Sequence, residues 1–362
     1  HDEVFTVRVS DGLGGVDTQL VTVTVSGTND AAVLSADIAN LTETNAPLTT
    51  NGTLTISDVD SAATFVTQTN TAGSYGQFSI GTNGAWSYVA DSAHNEFVAG
   101  STYTDTFAVS SADGTLTSVT VHILGSNDAA VLSSASVTLT ETNAPLTTGG
   151  SLTVSDIDSP ETFQAQSGTA GANGTFAIDA AGNWSYTANS AFDALNVGDN
   201  LTDTFTVLST DGTATSVAVT IKGSNDAAVL SSASVTLTET NAPLTTAGTL
   251  TISDVDSPET FQAQSGTAGA NGTFTIDAAG NWSYTANSAF NTLNVGDSLT
   301  DTFTVLSADG TATAVTVTIN GSNDSPTITS NGGGTTASVS VAENTSVVTT
   351  VTATDADLPA QT

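Results

Sequence analysis

Apolar residues alternate with Thr, Ser and other small residues over short runs of this chain. Residues 135–140 (Ala-Ser-Val-Thr-Leu-Thr), 174–178 (Gly-Thr-Phe-Ala-Ile) and 215–221 (Thr-Ser-Val-Ala-Val-Thr-Ile) are examples. A period of two, rich in β-branched residues and broken roughly every 8–14 residues by Gly, Asn, Asp or Pro, predicts half-buried strands. We therefore expect an all-β protein of two-sheet sandwiches. Only residues 189–197 suggest a short helix.

The tetrapeptide G-[ST]-N-D recurs every 98 residues, beginning at Gly27, Gly125, Gly223 and Gly321. This period is too long for a solenoid unit and fits an independently folding domain with about seven strands. The second and third repeats differ at only 12 of 98 positions. The predicted division is 1–30 for the end of a preceding module, 31–128, 129–226 and 227–324 for modules 1, 2 and 3, and 325–362 for the start of a following module. Both chain ends are accordingly expected to be cuts in a longer protein.

The charge balance excludes several classes of partner. The chain has 36 acidic residues against two basic ones, Arg8 and Lys222, which gives a net charge of −34. It cannot neutralise a row of phosphates, so nucleic acid is excluded, and an anionic membrane surface is disfavoured. No window approaches the roughly 18 consecutive apolar residues of a spanning helix, so we expect no membrane insertion. The carboxylates lack basic partners, which makes dissolved cations the natural substitute.

The acidic residues recur at fixed places in every module. A Glu ends the first strand in T-E-T-N, an Asp-x-Asp pair (the DxD pair) follows the second strand, and an Asn-Asp pair closes the module. Calcium binds six to eight oxygens from carboxylates, carbonyls and Asn amides at about 2.3–2.6 Å, so this vocabulary predicts Ca²⁺ sites. The alternative is that Asp and Asn serve only as turn residues, which is the interpretation we favour for Asp179 and Asp277. Recurrence without any basic partner favours metal for the Glu, DxD and Asn-Asp set.

Recurrent aromatic residues have two interpretations. Trp184 and Tyr186 repeat as Trp282 and Tyr284. Exposed on a sheet face, they would form a platform for sugar rings in every module and gain avidity by repetition. A small sandwich also needs bulky core residues, and core packing is the interpretation we favour.

Four ordered motifs carry a family resemblance. Residues 248–257 (G-T-L-T-I-S-D-V-D-S), 280–284 (G-N-W-S-Y), 299–310 (L-T-D-T-F-T-V-L-S-A-D-G) and 321–324 (G-S-N-D) resemble the VCBS repeat of giant bacterial surface and biofilm adhesins. The resemblance departs at Ala32, Ala130 and Ala228, where the pattern has Pro; only Pro326 fills that slot. Residues 341–344 and 354–357 are similar to the start of a cadherin-like module. The resemblance implies Ig-like or cadherin-like Greek-key modules in a linear array.

In cadherins, calcium is shared at domain junctions, and the resemblance implies the same ligand positions here. The first junction would use Glu43, Asn127, Asp128, Asp156 and Asp158; the second Glu141, Asp199, Asn225, Asp226, Asp254 and Asp256; the third Glu239, Asp297, Asn323, Asp324, Asp355 and Asp357. Asn29, Asp30, Asp58, Asp60 and Glu343 are the further metal ligands expected. Ser101 stands where Asp199 and Asp297 stand in the later modules, so the first junction is expected to bind more weakly.

The sequence does not favour an enzyme. His1, His94 and His122 have no counterparts in other modules, and no G-x-S-x-G or H-E-x-x-H motif is present. The function expected is a structural extender of a secreted bacterial adhesin, extracellular and stiffened by Ca²⁺, in cell adhesion and biofilm formation. Two alternatives stay open: a module that binds cell-surface or matrix polysaccharide, and a filament or surface-layer subunit whose partners are copies of itself.

Overall fold

The structure is a computed structural model in which residues 1–357 are described. All regular structure in this range is β-strand, and no helix long and apolar enough to cross a membrane occurs there. The chain begins with an antiparallel hairpin of β1 (Asp2–Ser10) and β2 (Val16–Thr24), and β30 (Thr327–Ile328) pairs with β31 (Ala353–Thr354) near its end.

Between these hairpins the same nine strand segments occur three times. Module 1 contains β3 (Val33–Leu34), β4 (Asp37–Thr42), β5 (Thr49–Thr53), β6 (Ile56–Ser57), β7 (Gln68–Ala72), β8 (Gly76–Ile80), β9 (Ala85–Ala90), β10 (Thr102–Ser110) and β11 (Leu116–Leu124). Module 2 contains β12 (Val131–Leu132), β13 (Ala135–Thr140), β14 (Thr147–Ser151), β15 (Val154–Ser155), β16 (Gln166–Ala170), β17 (Gly174–Ile178), β18 (Asn183–Ala188), β19 (Asn200–Leu208) and β20 (Ala214–Lys222). Module 3 contains β21 (Val229–Leu230), β22 (Ala233–Thr238), β23 (Thr245–Thr249), β24 (Ile252–Ser253), β25 (Gln264–Ala268), β26 (Gly272–Ile276), β27 (Asn281–Ala286), β28 (Ser298–Leu306) and β29 (Ala312–Asn320).

Each module is a sandwich of a three-stranded and a four-stranded sheet. In module 2 the sheets have the orders β13-β20-β19 and β14-β18-β17-β16, and a two-residue pair, β12-β15, lies beside them. Strand β13 runs parallel to β20, with Ala135 opposite Val217, whereas the other pairs are antiparallel. Modules 1 and 3 have the same orders. The predicted all-β sandwich is confirmed; each module has seven longer strands and two of only two residues.

The period-two pattern places alternate side chains in the core. In β18, Trp184, Tyr186 and Ala188 are buried and the residues between them are exposed. Phe176 stacks on Phe205 of the other sheet with ring centroids 4.7 Å apart. Trp184 is 5% exposed and its counterparts in modules 1 and 3 are equally buried. The aromatic residues are therefore core residues, and the tryptophans cannot form a platform for sugar rings.

A buried tyrosine–aspartate pair joins the two sheets of every module. The Tyr186 hydroxyl donates to Oδ2 of Asp203 at 3.0 Å, and Asp203 also accepts from the backbone N–H groups of Ala172 and Asn173. Burial, together with this carboxylate, raises the pKa of Tyr186 well above its ordinary value. A Cβ at Gly174 would lie 2.3 Å from the Tyr186 ring, so glycine is required there. The pairs Tyr88–Asp105 and Tyr284–Asp301 repeat the arrangement.

The prediction of a short helix at residues 189–197 is wrong. This segment is a loop, in which Phe192 has a φ of +67°. A right-handed helix needs negative φ throughout, so that single conformation breaks any helix there. Phe192 and Leu195 pack against the core of module 2 instead.

The turn between β19 and β20 holds the linker that precedes module 2. Asp211 in this turn accepts from the N–H of Ala130 at 3.1 Å and from the side-chain amide of Asn127 at 3.3 Å. Burial acts to raise the pKa of Asp211, but hydrogen bonds from Ser209 and Thr213 outweigh it, so the pKa lies far below its ordinary value and the group is charged at neutral pH. Asp113 and Asp309 hold the linkers before modules 1 and 3 in the same way. Each linker is thus fixed to the module that follows it.

Replacing Asp203 by Ala is expected to destabilise module 2 by about 3 kcal/mol, because the buried Tyr186 hydroxyl and two N–H groups lose their acceptor. Each module has one of the three tryptophans, so urea unfolding followed by tryptophan fluorescence should show one early transition. Thr204→Ala, on the exposed side of the same strand, is the control and should leave the unfolding curve unchanged. Equal curves for both variants would contradict the assigned role.

Asp211→Ala is expected to release the linker between modules 1 and 2, with or without metal, because Ala130 N–H and the Asn127 amide lose their acceptor. Amide hydrogen exchange at Ala130 should become faster. The matched control is Asp179→Ala, since Asp179 accepts only within its own turn, from the N–H and side-chain amide of Asn183. Unchanged protection of Ala130 in the Asp211 variant would show that the linker is held by other contacts.

Candidate metal centres at the module junctions

A buried glutamate ends the first long strand of each module. Glu141 follows β13, is 2% exposed, and accepts at Oε1 from the N–H of Ser224 at 2.8 Å and from its hydroxyl. Its other oxygen, Oε2, is buried and accepts no hydrogen bond. Glu43 with Ser126 and Glu239 with Ser322 are arranged alike, each with one unpartnered oxygen. The glutamate therefore holds the start of the linker to the preceding module and has one oxygen left for a ligand.

The linker aspartate connects this glutamate to the next module. At the second junction, between modules 2 and 3, the N–H of Asp226 donates to Oδ2 of Asp256 at 3.3 Å, while Oδ2 of Asp226 is buried and unpartnered. At the first junction, between modules 1 and 2, the N–H of Asp128 donates to Oδ2 of Asp158. At the third junction, the N–H of Asp324 in module 3 donates to Oδ2 of Asp357 in the following segment at 3.0 Å.

The DxD pair combines a turn with unused oxygens. Asp254 accepts at Oδ1 from the N–H groups of Asp256 and Ser257, at 3.2 and 2.9 Å. One oxygen of Asp254 therefore serves the turn, as the alternative interpretation of these acids as turn residues expects. Oδ2 of Asp254 and Oδ1 of Asp256 are buried without a donor. Asp156 and Asp158 leave the same two oxygens free at the first junction.

The loop of residues 189–197 contributes a further acid that the sequence did not single out. One oxygen each from Glu141, Asp193 and Asp226 lie within 4.8 Å of one another. Asp199, the residue expected from the resemblance, is instead exposed and accepts from the side chain of Asn196 at 3.1 Å. Asp297 accepts from Asn294 in the same way. The structure brings Asp193, not Asp199, into the cluster.

A signal for this position was present in the sequence. Asn95 and Asn291 occupy the places equivalent to Asp193, and each has a buried side-chain oxygen without a partner. An oxygen-bearing side chain thus recurs after the core residues His94, Phe192 and Phe290. Because two of the three residues at this position are Asn, a search for acids that recur in every module does not find the position.

The remaining predicted ligands make other contacts or none. Asn127, Asn225 and Asn323 donate to the carbonyl of the aspartate that follows each of them, and the first two also donate to the turn aspartates of the next module. Before module 1, Asn29 donates to Asp113, Asp30 N–H donates to Asp60, and Asp58 has one unpartnered oxygen. Asp355 accepts from the N–H of Asp357, and Glu343 is exposed.

Charges at the junctions are not neutralised by the protein. Burial and the neighbouring carboxylates raise the pKa of Asp158, Asp256 and Asp324; for Asp324 those neighbours are Glu239, Asp357 and Asp355, from both sides of the third junction. The ion pairs found within residues 1–357 all involve His1 or His94. Burying charges without a counter-charge is costly. Oxygen-only, carboxylate-rich sets of this kind fit calcium.

Comparison with known proteins identifies the modules. A family model described as a bacterial cadherin-like domain matches residues 29–125, 127–223 and 225–321. A search of curated proteins found no match.

Several cadherin structures resemble the chain. A structure of protocadherin gammaB7 EC3-6 is 17% identical over 90% of this chain and 84% of that one, with a TM-score of 0.43. Drosophila N-cadherin EC1-4 is 18% identical over 89% and 83%, with a TM-score of 0.34. Mouse cadherin-23 EC22-24 is 15% identical over 82% and 99%, with a TM-score of 0.39.

Domains of this type are structural adhesion modules, typically extracellular, and cadherin domains generally bind Ca²⁺ where one domain meets the next. Three tandem matches over most of the sequence, together with the repeated sandwich and its acidic junctions, show that the chain belongs to the bacterial cadherin-like domain family.

Proposed function

We propose that this chain is an extender segment of a secreted bacterial surface adhesin, in which Ca²⁺ stiffens the junctions between modules. In this role it holds an adhesive part away from the cell and serves attachment and biofilm formation. The resemblance to VCBS repeats of giant adhesins supports the bacterial surface setting.

One observation carries the proposal. Each junction gathers buried carboxylate oxygens without hydrogen-bond donors from three sources: the glutamate of the preceding module, the linker aspartate, and the DxD pair of the following module. A site built from both sides of a hinge couples ion binding to the relative position of the modules. Unfilled, the same carboxylates repel one another across the hinge.

The chain's own residues prepare the junction for the ion. Glu141 fixes the first half of the linker to module 2 through Ser224, and Asp309 fixes the second half to module 3 through Ala228. Backbone freedom is thereby confined to the few bonds between Ser224 and Asp226. A bound Ca²⁺ would supply the positive charge that Glu141, Asp226, Asp254 and Asp256 lack, and would hold the modules in one orientation.

The size of the effect suits a switch. Extracellular calcium modules bind with dissociation constants of about 10⁻⁴–10⁻³ M. At free calcium ten- to a hundredfold higher, each site adds roughly 1.4–2.7 kcal/mol to the docked state. The chain would be slack in the calcium-poor cytosol and stiff outside the cell.

A self-assembling filament or surface-layer subunit is the second candidate function. The outward face of the β13-β20-β19 sheet in module 2 is uncharged over Thr202, Thr204 and Thr206, and such a face could meet a second copy. Sedimentation in calcium separates the two functions, because a stalk stays monomeric and a filament subunit does not.

Small-angle scattering of the chain should show a long, narrow particle in millimolar calcium and a more flexible, broadly distributed one after chelation, because the junction charges repel without the ion. Sodium chloride raised to the same ionic strength is the control for simple screening and should not restore the long form. Identical scattering with calcium and with chelator would refute the stiffening role.

Asp254→Asn combined with Asp256→Asn is expected to weaken calcium binding at the second junction by tenfold or more, since affinity follows ligand charge count. Isothermal titration with CaCl₂ measures the loss. Asp199→Asn removes one negative charge nearby without touching the cluster, and should leave the titration unchanged. A loss of calcium affinity in Asp199→Asn would support the ligand position implied by the family resemblance and contradict the exclusion of Asp199 from the cluster.

A further inference from the structure

The turn that carries Asp193 recurs in all three modules. The residue before it adopts positive φ each time, with values of 61°, 67° and 61° at His94, Phe192 and Phe290. Such φ values are uncommon for large residues and persist only where surrounding packing imposes them. Positions 95, 193 and 291 therefore present their side chains to their junctions in an equivalent way.

Core packing imposes this conformation. Phe192 and Leu195 pack against the core of module 2, and the Phe192 carbonyl accepts from the Leu195 N–H at 2.9 Å. Phe290 and Leu293 repeat both features in module 3. Module 1 has the same backbone hydrogen bond, from Phe97 N–H to the His94 carbonyl at 2.9 Å. The junction residue at this place is Asn, Asp and Asn in the three modules.

We propose that the residue at position 95, 193 or 291 sets the calcium affinity of its junction, so that the second junction binds most tightly and stiffens first. This inference rests on the calcium-dependent function proposed above. An Asp contributes a full negative charge to the ion and an Asn only a neutral amide oxygen, and charge count tunes the affinity of such sites.

The second junction has the geometry for a stronger site. Within residues 1–357, the one group of three acidic side chains whose ligand oxygens lie within 4.8 Å is Glu141, Asp193 and Asp226. Glu141 is 2% exposed and its free oxygen has no donor. A cavity of about 370 Å³ lies beside them, lined in part by Asp193, Asp226, Asp254 and Asn143.

Modules 2 and 3 are nearly identical, so the effect of the difference between Asp193 and Asn291 can be separated from other effects. Of their 12 differences, two change charge: Asp193 against Asn291, and Lys222 against Asn320. The Lys222 side chain is exposed and takes part in none of the ion pairs found in the described part of the chain. Dissolved salt therefore screens the charge of Lys222, whereas the buried Asp193 oxygen is screened much less.

The consequence is graded stiffening. As calcium rises, the junction between modules 2 and 3 would become rigid first, and the junctions with Asn95 and Asn291 would follow at higher concentration. This order differs from the one expected from Ser101, which singled out only the first junction as weak. The affinity difference expected for one carboxylate is about tenfold, equivalent to about 1.4 kcal/mol.

Isothermal titration of the whole chain with CaCl₂ tests the inference through reciprocal, nearly isosteric variants. The wild-type chain should show one tight class of sites and a weaker class about tenfold lower in affinity. Asp193→Asn should abolish the tight class. Asn291→Asp should increase the number of tight sites, because the third junction then binds tightly as well. Asn95→Asp provides an independent gain at the first junction.

Lys222→Asn is the control for the second charge difference and should leave the tight class in place. Calcium binding that is the same in Asp193→Asn, Asn291→Asp and the wild type would overturn this inference but leave the proposed function standing. No calcium binding by the wild-type chain would overturn the proposed function itself. Should Asp193→Asn fail to fold, as judged by circular dichroism, the two gain variants decide the question, because they add a ligand to an intact core.

Discussion

Buried carboxylates without a positive partner are the constraint around which this protein is organised. Taking a charge out of water costs several kcal/mol unless an opposite charge or enough donors replace the solvent. With only two basic residues, the chain cannot supply the opposite charge. Within residues 1–357, the buried carboxylate oxygens without a hydrogen-bond donor lie at the module junctions, including the one before module 1, and not in the sandwich cores.

Two of the junction acids use one oxygen within the protein and leave the other buried without a donor. Glu141 uses one oxygen on Ser224 and keeps the other free, and Asp254 uses one on the turn of the DxD pair. The protein donors orient the carboxylate before any ion arrives. A pre-oriented ligand set loses less conformational freedom on binding, so more of the interaction energy remains for affinity.

Modules and junctions differ in how far the sequence varies. The Tyr186–Asp203 pair, the aromatic stack and the positive φ at Phe192 have counterparts in every module. These features give each module its own core and the same loop placement. A change of one atom type at position 193, from carboxylate to amide, can then alter a junction without disturbing the fold. Under the proposed function, tandem duplication with such changes would give junctions that respond differently to calcium.

The sequence by itself determined the parts of this protein that local periodicity controls. Alternation within residues 183–188, the 98-residue repeat and the recurrent Glu and DxD positions predicted the sandwich, its tandem order and most of the junction acids. Strand periodicity is a property of neighbouring residues, so it can be read without the fold. Core packing of Trp184 was expected because a small sandwich needs bulky core residues, and the structure agrees.

Only the tertiary structure decided which oxygens converge. Asp193 and Asp199 are both acids of the loop between β18 and β19, and their immediate sequence neighbours do not show which of them faces the junction. Packing of Phe192 and Leu195, with the positive φ between strands, turns Asp193 toward Glu141 and leaves Asp199 in solvent. Glu141 and Asp226 are themselves 85 residues apart in sequence and meet because β13 lies parallel to β20. Convergence of this kind depends on long-range pairing and side-chain packing, which no window of sequence contains.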